Sequence, residues 1–237
     1  TYVRAIGVHS DMVKKFVAFY PNLPELPGIV LDASQGQRSL AIEIYNRAVS
    51  TKDVAARNEA FRIASSGFVQ ADEFAKRAVE LTFAADINPK LANEKTKAEY
   101  HSALINRVDT VSLVARYVEH TVSDDTHQIF LQYLAVQKDA KKKQLVWLSL
   151  AKLYSDTGSD PEKAGLIYAM ILKDSPDNLE ALYSGGVVLV ALASKPGMVT
   201  GAEYLKRFLT LAPSSDIRRK DAQEMLEYLK KLHGITP

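Results

Sequence analysis

The chain has 237 residues, of which 47% are hydrophobic and 24% are charged, so it can bury a sizeable core and does not have the composition of a disordered protein. Its formal net charge of +2 provides no whole-molecule field that would attract nucleic acid or an anionic membrane. The absence of cysteine excludes disulfides, thiolate zinc sites and cysteine nucleophiles. It leaves the compartment open and favours the bacterial periplasm or cell envelope over the cytoplasm only weakly.

The ends and the apolar runs of the chain bear on membrane association. The sequence begins at Thr1 rather than at methionine, which leaves open whether a leader or an anchor precedes it. The longest apolar run, Val187 to Ala193, is much shorter than the roughly 20 residues that span a bilayer. We therefore predict a soluble chain that does not insert into a membrane.

Residues 1–36 are predicted to form a short helix followed by a proline-rich extended segment. Ser10 and Asp11 can cap a helix that ends at Tyr20. Prolines at positions 21, 24 and 27 then predict an extended, ordered connection that reaches Leu31.

Residues 37–143 have the spacing of irregular helical hairpins. Helices are predicted from Gln37, ending before a turn at Ser50 to Asp53, and over Phe61 to Phe68. A further helix carries Arg77, Leu81 and Ala84 and ends at a turn with Pro89. The next helices are predicted over Lys90 to Thr121, with a break at Asp109 and Thr110, and after a cap in Ser123 to Thr126.

The clearest pattern is a helical hairpin between Leu145 and Pro176. Each helix has one apolar face, and between them Gly158 to Pro161 supply a turn, an N-cap and a proline for the first helical position. The apolar positions are Trp147, Leu150, Ala151 and Tyr154 on the first helix and Ala164, Tyr168 and Ile171 on the second.

This order of residues resembles the tetratricopeptide repeat pattern. A second repeat fits after Pro176, with an insertion at Lys195 to Thr200 in its turn. Its matching positions are Leu182, Gly185, Gly186, Leu189, Gly201, Leu205, Phe208 and Pro213. The resemblance is best over residues 145–213, and it implies an architecture that mostly binds other proteins.

The C-terminal part, residues 214–237, is predicted to be a capping helix and tail. The helix, from Ser215 to Leu232, has an apolar face that can cover the preceding repeat and a charged face that can remain in water. The covering residues are Ile217, Met225, Leu226, Leu229 and Leu232, and the solvated ones include Arg218 and Arg219.

The predicted fold is therefore all-α: a single domain over residues 1–237, built as a right-handed superhelix of about five tetratricopeptide-like hairpins plus a C-terminal capping helix. Two clearer repeats occupy residues 144–213.

The predicted binding surface is an apolar groove on the concave face. The segment Tyr183 to Ala193 has no polar stripe, so it must be covered on all sides. The groove residues are Leu145, Leu148, Lys152, Tyr183, Val187 and Val190. We expect a protein or peptide partner, apolar or helical, and leave open a homo-oligomer, a groove filled by the chain itself, and the alternative of a lipid or small-ligand accessory subunit.

Chemical motifs are sparse, so the sequence predicts no enzyme, no cofactor and no metal site. It lacks a nucleotide-binding glycine loop, a zinc-binding histidine pair on one helical turn and a serine elbow. One cluster could support metal binding or acid–base chemistry, but a helix end followed by a capped helix start accounts for the same residues. These are Glu119, His120, Asp124, Asp125 and His127. The basic run from Lys141 to Lys143 is interpreted as a solvated helix start, and no nucleic acid is expected.

Overall fold

The computed structural model describes residues 2–87 and 94–235. These residues form ten α-helices and one π-helical turn and contain no strand, which confirms the all-α class. The helices are α1 (Tyr2–Phe19), α2 (Leu26–Ser50), α3 (Val54–Ile87), α4 (Glu94–Val114), α5 (Asp124–Val136), α6 (Ala140–Thr157), α7 (Pro161–Asp174), α8 (Leu179–Ala191), α9 (Lys195–Leu211) and α10 (Arg218–His233), with the π-helical turn at Ala115–Glu119.

The chain divides into two compact units, residues 1–137 and residues 138–237. The N-terminal unit contains α1 to α5, and the C-terminal unit contains α6 to α10. Their boundary lies close to residue 144, where the clearer repeats are predicted to begin. A single domain over the whole chain stays a prediction.

The first two helices differ from the sequence-based expectation. Helix α1 already runs from Tyr2, and Ser10 is buried within it rather than capping its start. The predicted extended segment is wrong from Leu26 onward, because α2 begins there with Pro27 in its first turn. Proline is tolerated at that point since the N–H it lacks would have no partner in the helix.

Helix α3 is a single helix where two were predicted. It continues through Gly67, and the residues between Phe68 and Leu81 include no proline or glycine to end it. Gly67 packs directly on α2, where an added Cβ would lie 2.8 Å from the Cβ of Ala41. The predicted turn at Pro89 lies outside the described residues.

One long helix is predicted over Lys90 to Thr121. The first residues of that segment, including Leu91, lie outside the described part of the chain, and α4 begins at Glu94. The break predicted at Asp109 and Thr110 is wrong, because both residues lie inside α4. The Thr110 hydroxyl donates a 2.7 Å hydrogen bond to the carbonyl of Asn106 on the same helix. Helix α4 instead passes into the π-helical turn, and His120 follows in the left-handed conformation with φ of 53°.

An aromatic cluster joins the π-helical turn to the core of the N-terminal unit. The ring centroid of Tyr117, in that turn, lies 4.4 Å from that of Tyr45 on α2 and 5.8 Å from that of Phe68 on α3. The buried core beside them contains Ile6, Ala41, Ile44, Ala64 and Phe68.

The hairpin of α6 and α7 forms as predicted. Gly158 ends α6 with φ of 65°, and the Asp160 carboxylate accepts a 2.9 Å hydrogen bond from the backbone N–H of Lys163 at the start of α7. Pro161 is the first residue of α7. Helix α6 packs on α7, and the predicted face residues are buried except Trp147, which is half-buried. The buried ones are Leu150, Ala151, Tyr154, Ala164, Tyr168 and Ile171.

Helices α8 and α9 pack closely enough that their backbones nearly touch. A Cβ added to Gly201 would lie 2.8 Å from the carbonyl oxygen of Gly186, so a side chain at that position would push the helices apart. The prediction that Lys195 to Thr200 lie in the turn between these helices is wrong, because α9 already begins at Lys195. The first turn of α9 is capped by the Ser194 hydroxyl, which accepts a hydrogen bond from the N–H of Gly197.

Helix α10 packs on α9 and α8, as a capping helix should, but its two faces differ in part from the prediction. Leu229 is fully buried in a cluster with Met198, Ala202 and Ile235. In contrast, Ile217 is 92% exposed and Leu232 is 67% exposed, so neither covers the helices that precede α10.

The two arginines at the start of α10 were predicted to be solvated and are instead bonded to the protein. Arg219 donates hydrogen bonds of 2.6 and 2.7 Å to the carbonyls of Leu209 and Ala212. These carbonyls lie at the C-terminal end of α9, where no further turn of helix can supply a donor. Arg218 contributes to the site described next.

Candidate functional site

A cleft of about 300 Å³ lies in the C-terminal unit between α6 and α8. It is lined by Lys152, Ser155 and Asp156 from α6, Tyr168 from α7, Glu180, Tyr183, Ser184 and Val187 from α8, and Arg218 from α10. On α6 and α8 the lining residues recur every three or four positions, with Ser155 and Asp156 and likewise Tyr183 and Ser184 adjacent, so each helix presents one stripe to the cleft. Most of these side chains are polar or charged, whereas the sequence predicts an apolar groove.

A chain of hydrogen bonds holds the floor of the cleft. The Ser184 hydroxyl donates to Glu180 Oε1 at 2.9 Å, and Arg218 Nη1 donates to Glu180 Oε2 at 2.7 Å. Arg218 also binds both carboxylate oxygens of Asp216, at 3.0 and 2.8 Å. Through Glu180 and Arg218 the network joins α8 to α10.

Two tyrosines on this floor stay protonated at neutral pH. Burial raises the pKa of Tyr168 to about 12, against the opposing effect of its hydrogen bond with Ser184. Burial also raises the pKa of Tyr183 to about 12, and Tyr183 donates its hydroxyl proton to Asp221 on α10. Both phenols therefore stay protonated at neutral pH and are not nucleophiles or bases there, and the Tyr183 hydroxyl is a hydrogen-bond donor.

The Arg218 guanidinium is both stacked and ion-paired. It lies 5.3 Å from the ring centroid of Tyr183 and 5.2 Å from that of Phe208, which is cation–π range. Its hydrogen bonds lower the pKa of Asp216 to about 2. Since the aromatic rings and the two carboxylates fix its position, Arg218 forms a rigid wall of the cleft.

Half of the predicted groove residues lie together in this cleft. Lys152, Tyr183 and Val187 are in its lining. Leu145 is 62% exposed and Leu148 is half-buried, both on α6 outside the lining. Val190 packs instead on the cluster around Leu229, where α10 covers it.

Sequence reasoning missed several lining residues. Ser155 and Asp156 follow Lys152 at helical spacing, as Glu180 and Ser184 do around Tyr183 and Val187, so extending each stripe would have included them. Arg218 gave no such signal, because its place depends on how α10 folds back over α8.

The N-terminal unit contains a second polar cluster, which involves one of the residues considered for chemistry. Arg107 on α4 is buried, and its Nη2 donates a 2.7 Å hydrogen bond to Asp125 on α5. Its Nε lies 3.8 Å from Oδ1 of Asp72 on α3. The cluster therefore joins three helices by charge pairing.

The residues between Glu119 and His127 are interpreted as a helix end followed by a capped helix start, and the contacts of Ser123 support the cap. Its hydroxyl accepts a hydrogen bond from the backbone N–H of Thr126, and Asp124 and Asp125 occupy the first turn of α5. No group of three or more histidine and acidic side chains in the described ranges is arranged to hold a metal ion.

Asp72 should make the free energy of unfolding depend on pH, because its ionised form is disfavoured in the folded state. Burial, its largest influence, raises the pKa of Asp72 above the ordinary value of 3.8, although the nearby Arg107 lowers it. The folded state therefore binds the proton of Asp72 more tightly than the unfolded state does. The protonated carboxyl contributes to the free energy of unfolding in full below pH 3.8, and this contribution is lost as the pH rises through the raised pKa. We expect the stability of Asp72→Asn relative to the wild type to increase between about pH 4 and pH 8 in urea unfolding at several pH values. The exposed Asp32→Asn on α2 is the control, and parallel profiles for the two variants would contradict the prediction.

Comparisons of this chain with protein-family models, with curated proteins and with solved structures found no match. Among the described residues, no helix has both the length and the apolar character needed to cross a membrane.

Proposed function

We propose that residues 138–237 form two tetratricopeptide-type repeats with a capping helix, and that this unit is a non-catalytic protein-interaction scaffold. The ligand is an extended peptide segment of a partner protein, held in the cleft between α6 and α8. The observation that carries the proposal is that the first helices of two consecutive hairpins line one cleft with side chains at helical spacing.

The packing of neighbouring helices supports the repeat assignment. Helix α6 packs on α7 and α8 packs on α9, and the first helices of the two pairs, α6 and α8, also touch each other. In stacked hairpin arrays the first helices of successive repeats line the concave face, where ligands are commonly bound. A right-handed superhelix is the form that such stacking produces.

The chemistry of the cleft favours a polar, extended segment over the apolar or helical one expected from sequence. Lys152 and Asp156 lie one turn apart on α6 and offer an ammonium and a carboxylate on the same side of the cleft. Lys152 makes no ion pair within the described part of the chain and is exposed. A peptide in extended conformation presents both carbonyl acceptors and N–H donors, so it can use both kinds of group.

The lining does not favour the alternative of a lipid or apolar small-ligand carrier. Eight of the nine residues around the cleft between α6 and α8 carry a polar or charged group, and Val187 is the only aliphatic one among them. Sites for apolar ligands are lined predominantly by hydrophobic and aromatic side chains.

Site-specific photo-cross-linking tests the proposal. A photoreactive amino acid at Ser155, in the cleft, should capture a discrete partner in cells, whereas the same amino acid at the exposed Lys173 of α7 should not. Identical adducts from both positions would overturn the proposal, because they would reflect surface collisions rather than a site.

Charge reversal at Lys152 should weaken binding without unfolding the unit. We expect Lys152→Glu to lower affinity for the captured partner by about tenfold, because the cleft would lose its exposed cation and gain a third carboxylate. The melting temperature should not change, since Lys152 is exposed. Lys173→Glu is the matched control, and equal effects of the two reversals on affinity would argue against a site at the cleft.

A further inference from the structure

Helix α1 carries an exposed apolar stripe on the N-terminal unit. Val8 is 49% exposed, Met12 is 66% exposed and Phe19 is 76% exposed. Met12 and Phe19 lie four and eleven positions after Val8, so the three side chains share one face of the helix. Lys15, also exposed, lies on the same face between Met12 and Phe19.

The opposite face of α1 is fixed to the rest of the unit. Ile6 is buried in the core beside Ala41, and the ring of His9 is hydrogen-bonded to Gln37 on α2 at 3.1 Å. Lys14 forms a 2.9 Å ion pair with Glu73 on α3. Because these contacts set the rotation of the helix, the stripe of Val8, Met12 and Phe19 faces outward. Large exposed apolar side chains that share one helix face, here interrupted by Lys15, are a feature of interaction sites.

Two opposite charges lie along one edge of the stripe. Asp11 and Lys15 are both exposed and lie on the same edge of it. Neither makes an ion pair within the described ranges. Their order along the helix makes the edge self-complementary: if an identical helix lies antiparallel, each aspartate meets the lysine of the other helix.

We propose that this stripe is a homodimer interface in which α1 of one copy packs antiparallel on α1 of a second copy. The twofold axis passes near Val13. Val8 then contacts Phe19 of the second copy, and Met12 packs on the aliphatic part of Lys15 of the second copy. Asp11 pairs with the same lysine, and the twofold axis repeats each contact, as in an isologous interface.

The charges favour a second copy over a membrane surface. An interfacial helix that binds anionic lipid carries lysine and arginine along the flanks of its apolar face. Here Asp11 and Lys15 on the same edge cancel, so this edge offers an anionic surface no net positive charge, whereas in the antiparallel pair both charges find a partner of opposite sign. A single helix pair is smaller than a standard interface of roughly 800 Å² per partner, so the dimer is weak and forms between about 10 µM and 1 mM.

Charge exchange between two variants gives the decisive test. The Asp11→Lys variant has lysine at both positions 11 and 15, and the Lys15→Asp variant has aspartate at both. In a homodimer of either variant, position 11 therefore faces a like charge at position 15 of the second copy. We expect each to raise the dimer dissociation constant by about tenfold or more. An equimolar mixture should recover dimerisation as a heterodimer, since every pair across the axis is then of opposite sign. Sedimentation equilibrium of the intact chain over the stated concentration range measures both effects.

A matched control distinguishes this interface from a general effect of surface charge. Lys52→Asp, an exposed reversal between α2 and α3, should dimerise like the wild type. A wild-type chain that stays monomeric up to about 1 mM, or a mixture that fails to recover dimers, overturns the proposal. Binding to vesicles with an anionic lipid that is lost in Phe19→Ser, with no dimer in solution, overturns it in favour of a membrane surface.

Discussion

Replacing Arg107 with methionine is expected to lower the free energy of unfolding of the N-terminal unit by about 3 kcal/mol or more. The Arg107 side chain is only 7% exposed and lies between the carboxylates of Asp72 and Asp125. Methionine can fill part of the space but cannot neutralise Asp72, whose charge would remain in a largely buried position. Urea unfolding followed by circular dichroism measures the loss.

Two further variants test the cause of this effect. Arg62→Met removes an arginine whose ion pair with Glu59 is exposed, so stability should change by no more than about 0.5 kcal/mol. Adding Asp72→Asn to Arg107→Met should restore part of the lost stability, because it removes the unpaired charge. If Arg107→Met and Arg62→Met are equally mild, charge pairing at this cluster is not what holds α3, α4 and α5 together.

Two glycine-to-alanine substitutions in the N-terminal unit are expected to have opposite signs. At Gly67 the new Cβ would lie 2.8 Å from the Cβ of Ala41 and 3.2 Å from Cδ1 of Ile6, so α2 and α3 must separate. We expect Gly67→Ala to cost about 1–2 kcal/mol, since overpacking exceeds the gain in helix propensity. Gly36 on α2 has no atom within 4 Å of an added Cβ, so Gly36→Ala should stabilise the unit by about 0.5–1 kcal/mol.

Thermal and urea unfolding of both variants provide the comparison. Because both residues lie in helices of one compact unit, they report on the same unfolding transition. Stabilisation by both substitutions would mean that α2 and α3 are not in close contact at Gly67.

The sequence was most informative where local chemistry decides the structure. The turn from Gly158 to Pro161 combines a left-handed glycine, a capping aspartate and a first-turn proline, so its residues specify it without help from distant parts of the chain. The burial of Tyr154 and Tyr168 followed from helical spacing alone.

Prediction failed where tertiary packing overrides a local signal. Pro27 is compatible with either an extended segment or the first turn of a helix, and the buried Leu26 and Val30 of α2 decide for the helix. Gly67 disfavours a helix by its intrinsic propensity, but in the fold it permits close contact with Ala41.

The candidate site shows the same limit. The stripes of α6 and α8 could be derived from spacing, and Lys152, Tyr183 and Val187 were identified in this way. The polar character of the cleft could not, because it depends on Arg218 from a helix distant in sequence and on the network that Arg218 forms with Glu180.

Helix α10 links the stability of the C-terminal end to the cleft. Helix α10 is the last helix of the unit, and helices at a chain end commonly open at a lower free energy than the helices before them. Here α10 supplies Arg218 to the cleft wall and Asp221 to the hydroxyl of Tyr183. Opening of α10 therefore removes part of the cleft, and a ligand that binds only when α10 is docked protects that helix from hydrogen exchange by a free energy that rises with ligand concentration relative to Kd.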